Sequence, residues 1–160
     1  MGLPAIEMLW VQYADGTKDQ VADLVGGAIA DHIRKDDWDT CCIRVSRSLN
    51  YSGVPVEGFA AIANPGLGPS AKVRAKKGGD NKWYIYSTYD FRAYLTTRYG
   101  HPKQFRGDAD KSAVTIPGII MYGYVHVDLW DGSTFRHLAF FGDTRIAHEG
   151  IYVWPTATST

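Results

Sequence analysis

The chain reads as an α+β fold, with N-terminal helices packed on an antiparallel β-sheet, and three observations predict it. Apolar residues recur at helical spacing across residues 20–33, and again at Ile43, Val45 and Leu49. From residue 118 onward β-rich runs dominate, and Asp131-Gly132 lies between two of them as a hairpin signal. Helices first and strands second is the order of an α+β chain. No repeat or linker interrupts the 160 residues, so residues 1–160 are expected to form a single domain with one core.

The elements follow in order. Residues 20–33 predict a helix weakened by Gly26 and Gly27. The acidic run around Asp36 and Asp39 breaks it, and Asp39 or Thr40 can cap the next helix. That helix stops at Asn50-Tyr51-Ser52-Gly53. Residues 53–82 are rich in Gly, Pro and Lys and read as a long loop with one short element. Trp83 to Tyr86 reads as a short strand or a lead-in. Thr88 can cap a helix from Tyr89 to Tyr99, ended by Gly100-His101-Pro102. Residues 118–122 are a buried strand by composition. The two arms of the hairpin follow, and residues 150–154 close the sheet before a polar tail.

Composition narrows the function. Lys plus Arg is 17 and Asp plus Glu is 17, so the net charge is zero, where a nucleic-acid binder carries a basic excess. No stretch approaches the ~20 apolar residues of a membrane span. Residues 1–7 lack the basic start and apolar run of a signal peptide, which predicts synthesis in the cytoplasm and export by another route. The 5 Trp, 10 Tyr and 6 Phe can fill a core or line a groove. Cys41 and Cys42 are the only cysteines. Adjacent Cα atoms about 3.8 Å apart make a mutual disulfide strained, so both thiols are expected to be free.

A thiol at a helix start and a distant histidine on a strand form a recurring layout of cysteine hydrolases. Unpaired amides and the helix dipole at a helix start favour thiolate, and the same amides can hold an oxyanion. Periodicity does not choose between Cys41 and Cys42. A two-residue turn at Asp131-Gly132 places Trp130 opposite Ser133 and, counting back in pairs, His126 opposite His137. Asp128 and Trp130 then share the face of His126, while Val125, Val127 and Leu129 face apolar packing. Two adjacent imidazoles can hydrogen-bond, one fixing the tautomer of the other.

The run Cys-Cys-Ile-Arg-Val-Ser-Arg-Ser-Leu-Asn-Tyr-Ser-Gly at 41–53 resembles the nucleophile helix of the type VI secretion amidase effector 4 family. Gly118-Ile119-Ile120 followed by His126-Val127-Asp128-Leu129-Trp130-Asp131-Gly132 is similar to its histidine hairpin. The resemblance implies a papain-like, NlpC-type fold. It also implies an antibacterial cysteine peptidase that is injected into rival bacteria and cuts peptidoglycan stems between D-glutamate and meso-diaminopimelate. On the same basis Cys41 is the nucleophile, His126 the base, and His137 occupies a third catalytic position that is usually an aspartate. Cys42 falls on a variable position of the motif. Val125 stands where the family has Gly, the loop before His126 is short, and the family's cysteines after the hairpin are absent.

The chemistry so implied is attack by the Cys41 thiolate on the γ-D-glutamyl carbonyl. The N–H of Cys41 and a neighbouring donor hold the oxyanion, and His126 protonates the leaving amine. Asp128, Trp130 and Cys42 are expected at the substrate cleft, and Arg44 in a structural salt bridge. The basic loop from Lys72 to Lys77 can meet stem carboxylates or simply be solvated. Expected partners are peptidoglycan stem peptides, a cognate immunity protein and type VI secretion components, with no nucleic acid, cofactor or metal. The expected site of action is the periplasm of target bacteria. Two other readings stay open: a catalytically silent cell-wall-binding module on the same fold, and a phage or self-remodelling cell-wall amidase.

Overall fold

The computed structural model describes residues 2–36, 39–106, 111–137 and 149–157. A short strand, β1 (Leu3–Ala5), runs directly into helix α1 (Ile6–Val11). Both are too short to show a period in sequence. Helix α2 (Lys18–Val25) opens on a reciprocal cap. Thr17 Oγ1 accepts from the Gln20 N–H at 3.2 Å, and Gln20 Oε1 accepts from the Thr17 N–H at 2.8 Å. The single helix expected over residues 20–33 is two, because Gly26 turns the backbone at φ +63° and starts α3 (Gly27–Asp36).

Helix α4 (Cys41–Asn50) runs through the interior, and every side chain on it but Arg47 is buried. Its polar residues are satisfied by the segments around it. Ser46 Oγ accepts from the Ile85 N–H at 3.1 Å, and Asn50 Nδ2 donates to the Trp83 carbonyl at 2.7 Å. Arg44 is buried too, with Nε donating to Thr40 Oγ1 at 2.8 Å and Nη1 to the Ala14 carbonyl at 2.9 Å. Its role is structural as expected, carried by hydrogen bonds, with no salt bridge to it among the described residues.

The segment read as a loop with one short element contributes β2 (Lys76–Lys77), which pairs with β3 (Trp83–Tyr84) in the stretch read as a short strand or lead-in. Helix α5 (Thr88–Tyr99) follows and ends at Gly100 as expected, but its N-cap is Ser87 and not Thr88, whose hydroxyl instead donates to the Tyr124 carbonyl. The main sheet contains β4 (Lys103–Phe105), β5 (Gly118–Tyr122), β6 (His126–Trp130) and β7 (Ile151–Ala157), together with β1. β7 is central rather than closing: it pairs with β5 and β4 antiparallel and with β1 parallel. Alternation along β6 sends Val127 and Leu129 into the cluster that holds Cys42, Val45 and Leu49. Trp130 joins Ile120, Tyr122, Ile151 and Val153 in another cluster. Among the described residues no helix is long and apolar enough to cross a membrane.

The hairpin after β6 departs from the two-residue turn. Trp130 pairs with Phe135, not Ser133. Asp131 causes the difference. Its Oδ1 accepts from the Ser133 and Thr134 N–H groups at 2.8 and 2.7 Å, and its Oδ2 from Thr134 Oγ1 at 2.7 Å. These bonds stabilise a four-residue loop in which Gly132 sits at φ +103°. The Arg136 N–H reaches the Leu129 carbonyl at 3.0 Å, so His137 comes opposite Asp128 and not opposite His126. The rest of the returning arm and the polar tail lie outside the described residues.

Candidate active site

The site starts from the two residues before α4. Thr40, its N-cap, makes no side-chain cap. Asp39 does that work, its Oδ1 accepting from the Cys41 N–H at 2.9 Å. The capping bond leaves Asp39 Oδ2 directed at the imidazole of His126, with Nδ1 3.4 Å away. Strand β6 supplies that histidine from its first position, 6% exposed. One donor atom each from Asp39, Cys41 and His126 lie within 4.8 Å of one another, the set among the described residues that could also hold a metal ion. The Cys41 N–H, expected at the oxyanion, is instead committed to Asp39.

The electrostatics suit a thiolate–imidazolium pair. The Cys41 thiol is lowered, first by its hydrogen-bonding contact with Cys42 and then by His126, against the opposing effect of burial. The two sulfurs are 3.9 Å apart. Cys42 moves the other way, raised by burial and by Cys41 itself. Burial opposes a charged His126, yet Asp39 and Cys41 outweigh it and hold the imidazolium up to about 9. Burial also opposes charge on Asp39, but the His126 contact prevails and lowers its carboxyl to about 2.

Cys41 opens onto a cleft of about 510 Å3, walled by Asp39, Cys42, Arg74, Tyr86, Tyr89 and Tyr124 among others. The Tyr89 and Tyr124 rings stack at 4.1 Å with 4° between planes, joining the start of α5 to the β5–β6 turn. A larger hollow of about 800 Å3 lies against α1, lined by Ile6, Trp10, Val11, Pro117 and Pro155 with no cysteine or histidine. The cleft bearing the thiol is therefore the candidate site.

Other expected site residues fall elsewhere. Cys42 does line the cleft. Asp128 is buried and is not among the lining residues; its Oδ1 accepts from the Leu129 N–H at 2.7 Å and its Oδ2 from the His137 N–H at 3.2 Å. Trp130 is also buried away from the cleft, its indole N–H donating to the Val114 carbonyl at 3.1 Å. His137 is exposed, with its ring 6.2 Å from that of Tyr13. Partial burial, then the positive charges of Arg44 and His126, keep it below the usual histidine value. The neighbouring Arg136 ties this arm to the N-terminal region through the Trp10 carbonyl at 3.0 Å and Asp15 at 2.6 Å.

Sequence reasoning missed Asp39 as a partner of His126, although an acid two residues before the nucleophile can both cap the helix and reach across its end. Arg74 and the tyrosine walls carried no periodic signal.

Comparison with known proteins adds the lineage. The sequence pattern of Tae4, the type VI secretion system (T6SS) amidase effector protein 4, matches residues 38–154. No curated relative matches the chain. Among solved structures, Tae4 from Salmonella typhimurium in complex with the immunity Tai4 from Enterobacter cloacae is similar, at 23% identity and a TM-score of 0.75 over 96% of this chain and 99% of that one. The type VI effector-immunity complex Tae4-Tai4 from Enterobacter cloacae is similar at 24% identity and TM-score 0.76, with the same coverage. The effector Tae4 from Enterobacter cloacae matches at 24% and 0.75 over 98% of this chain and 100% of that one.

Proposed function

The chain belongs to the type VI secretion amidase effector 4 family, a family of antibacterial peptidoglycan amidases, and from that premise we propose that it hydrolyses the γ-D-glutamyl–meso-diaminopimelate bond of stem peptides through Cys41. The observation that carries this reading is the convergence of Asp39, Cys41 and His126 within 4.8 Å where the cleft begins. The Cys41 thiolate attacks the γ-carbonyl, and the C–N bond breaks as His126 gives its proton to the leaving amine. Water then hydrolyses the thioester, with His126 taking a proton from it. Because the Cys41 N–H is held by Asp39, this reading assigns the oxyanion to the next amide of the first turn, that of Cys42.

Asp39 orients and pairs with the imidazolium. His137 keeps the third catalytic position in this reading, as a neutral neighbour of His126 whose suppressed charge does not compete with it. The complexes of the solved relatives with Tai4 lead us to propose a cognate immunity protein as partner, and the periplasm of target bacteria as the site of action. The test is a digest of purified tetrapeptide muropeptides read by mass. The wild type is expected to release a disaccharide dipeptide ending in D-glutamate, and Cys41→Ala to release none. Intact stems with the wild type would overturn the reading.

A further inference from the structure

Among the described residues that wall the cleft, Arg74 is the one cation and Asp39 the one carboxylate. Asp39 is already committed to Cys41 and His126. Arg74 is held from below. Its Nε and Nη2 donate to Asp90 Oδ2 at 3.1 and 2.8 Å, and its backbone N–H to Asp90 Oδ1 at 2.9 Å. Asp90 is fully buried and also accepts from Asn64 Nδ2 at 2.7 Å. The guanidinium lies over the Tyr86 ring, 5.4 Å from its centre, and the side chain stays half exposed. Nη1 has no hydrogen-bond partner among the described residues. This is a pre-organised donor on the wall of the cleft that Cys41 also lines, and Arg geometry suits a carboxylate.

The proposed substrate supplies one. A γ-linked glutamyl residue carries a free α-carboxylate four bonds from the carbonyl under attack, about 5 Å when extended. A space of about 510 Å3 is roughly 8 Å across, so one residue can reach both groups. We propose that Arg74 is a specificity-determining binding residue that reads the free α-carboxylate of the γ-glutamyl acyl donor. This rests on the amidase reading and extends it: the cleft selects a γ-linked acyl group by the charge that an amidated stem lacks.

The test compares two disaccharide tetrapeptides, one with D-glutamate and one with its α-carboxamide, D-isoglutamine. The wild type is expected to favour the carboxylate stem by about tenfold or more in kcat/KM, carried mainly by KM. Arg74→Gln with Asp90→Asn removes the guanidinium and the buried charge together and is expected to bring the ratio to about one. Arg74→Lys, which keeps a point charge without the fork, is expected to fall between. A wild type that cuts both stems equally, or an Arg74→Lys variant with an undiminished ratio, would overturn the assignment while leaving the amidase reading intact. A wild type that cuts neither stem overturns the amidase reading and the assignment with it.

Discussion

The two halves of the site are built in different ways. The nucleophile half is local: Asp39, Thr40, Cys41 and Cys42 are consecutive, and one helix start fixes their relation. The histidine half is non-local, because His126 and His137 are related only through the hairpin that joins them. Local geometry follows from neighbouring residues and the helix rules. Strand register depends on turn chemistry, and a few hydrogen bonds at Asp131 move the described pairs of the return arm. The shift here is by two residues, which preserves the face, so His137 stays on the side of Asp128 while losing its place opposite His126.

Breaking the local half should have the largest effect. Asp39→Asn keeps a capping side chain at the start of α4 but removes the charge paired with His126. Activity on muropeptides is expected to fall about 100-fold. The alkaline limb of the pH–rate profile should move down from about 9 toward the ordinary histidine value of 6.5. The same pairing affects stability. Because His126 is raised, its contribution is complete below 6.5 and fades as pH rises through about 9. An unmoved alkaline limb in Asp39→Asn would remove Asp39 from the pairing.

His137→Ala probes the non-local half and is expected to cost about tenfold or less, less than Asp39→Asn, because His137 faces Asp128. A loss equal to that of Asp39→Asn would restore His137 as the principal orienting residue. The smallest effect should come from Asp131→Ala, which removes the turn's side-chain acceptor. A cost of about 1 kcal/mol is expected, read as a lowered Tm with little change in kcat. An unchanged Tm would show that the loop length is set elsewhere.

The sequence carried the class of fold, the position of α4 through its apolar spacing, that of α5 through the residues that bound it, and the residues of the β5–β6 pair through their β-rich composition. It also placed Cys41 at a helix start. What it could not carry had other physical origins. β1 and α1 are too short to show a period. The centrality of β7 depends on partners from both ends of the chain. Asp39 was readable as a cap, but its second oxygen meets a histidine 87 positions away, a contact only the fold makes. Arg74 likewise looked like one charge in a basic loop until Asp90, buried on α5, was seen to hold it.

The central claim is that Cys41, not its neighbour, is the activated thiol. Alkylation by iodoacetamide across pH, with the label located by peptide fragmentation, measures it directly. Cys41 is expected to react with a midpoint clearly below the usual ~8.5 of a free thiol, while Cys42 lags behind at every pH. His126→Ala is expected to raise the Cys41 midpoint. A Cys41 that alkylates slowly with an ordinary thiol midpoint, unchanged by His126→Ala, would contradict the account and favour a catalytically silent module on the same fold.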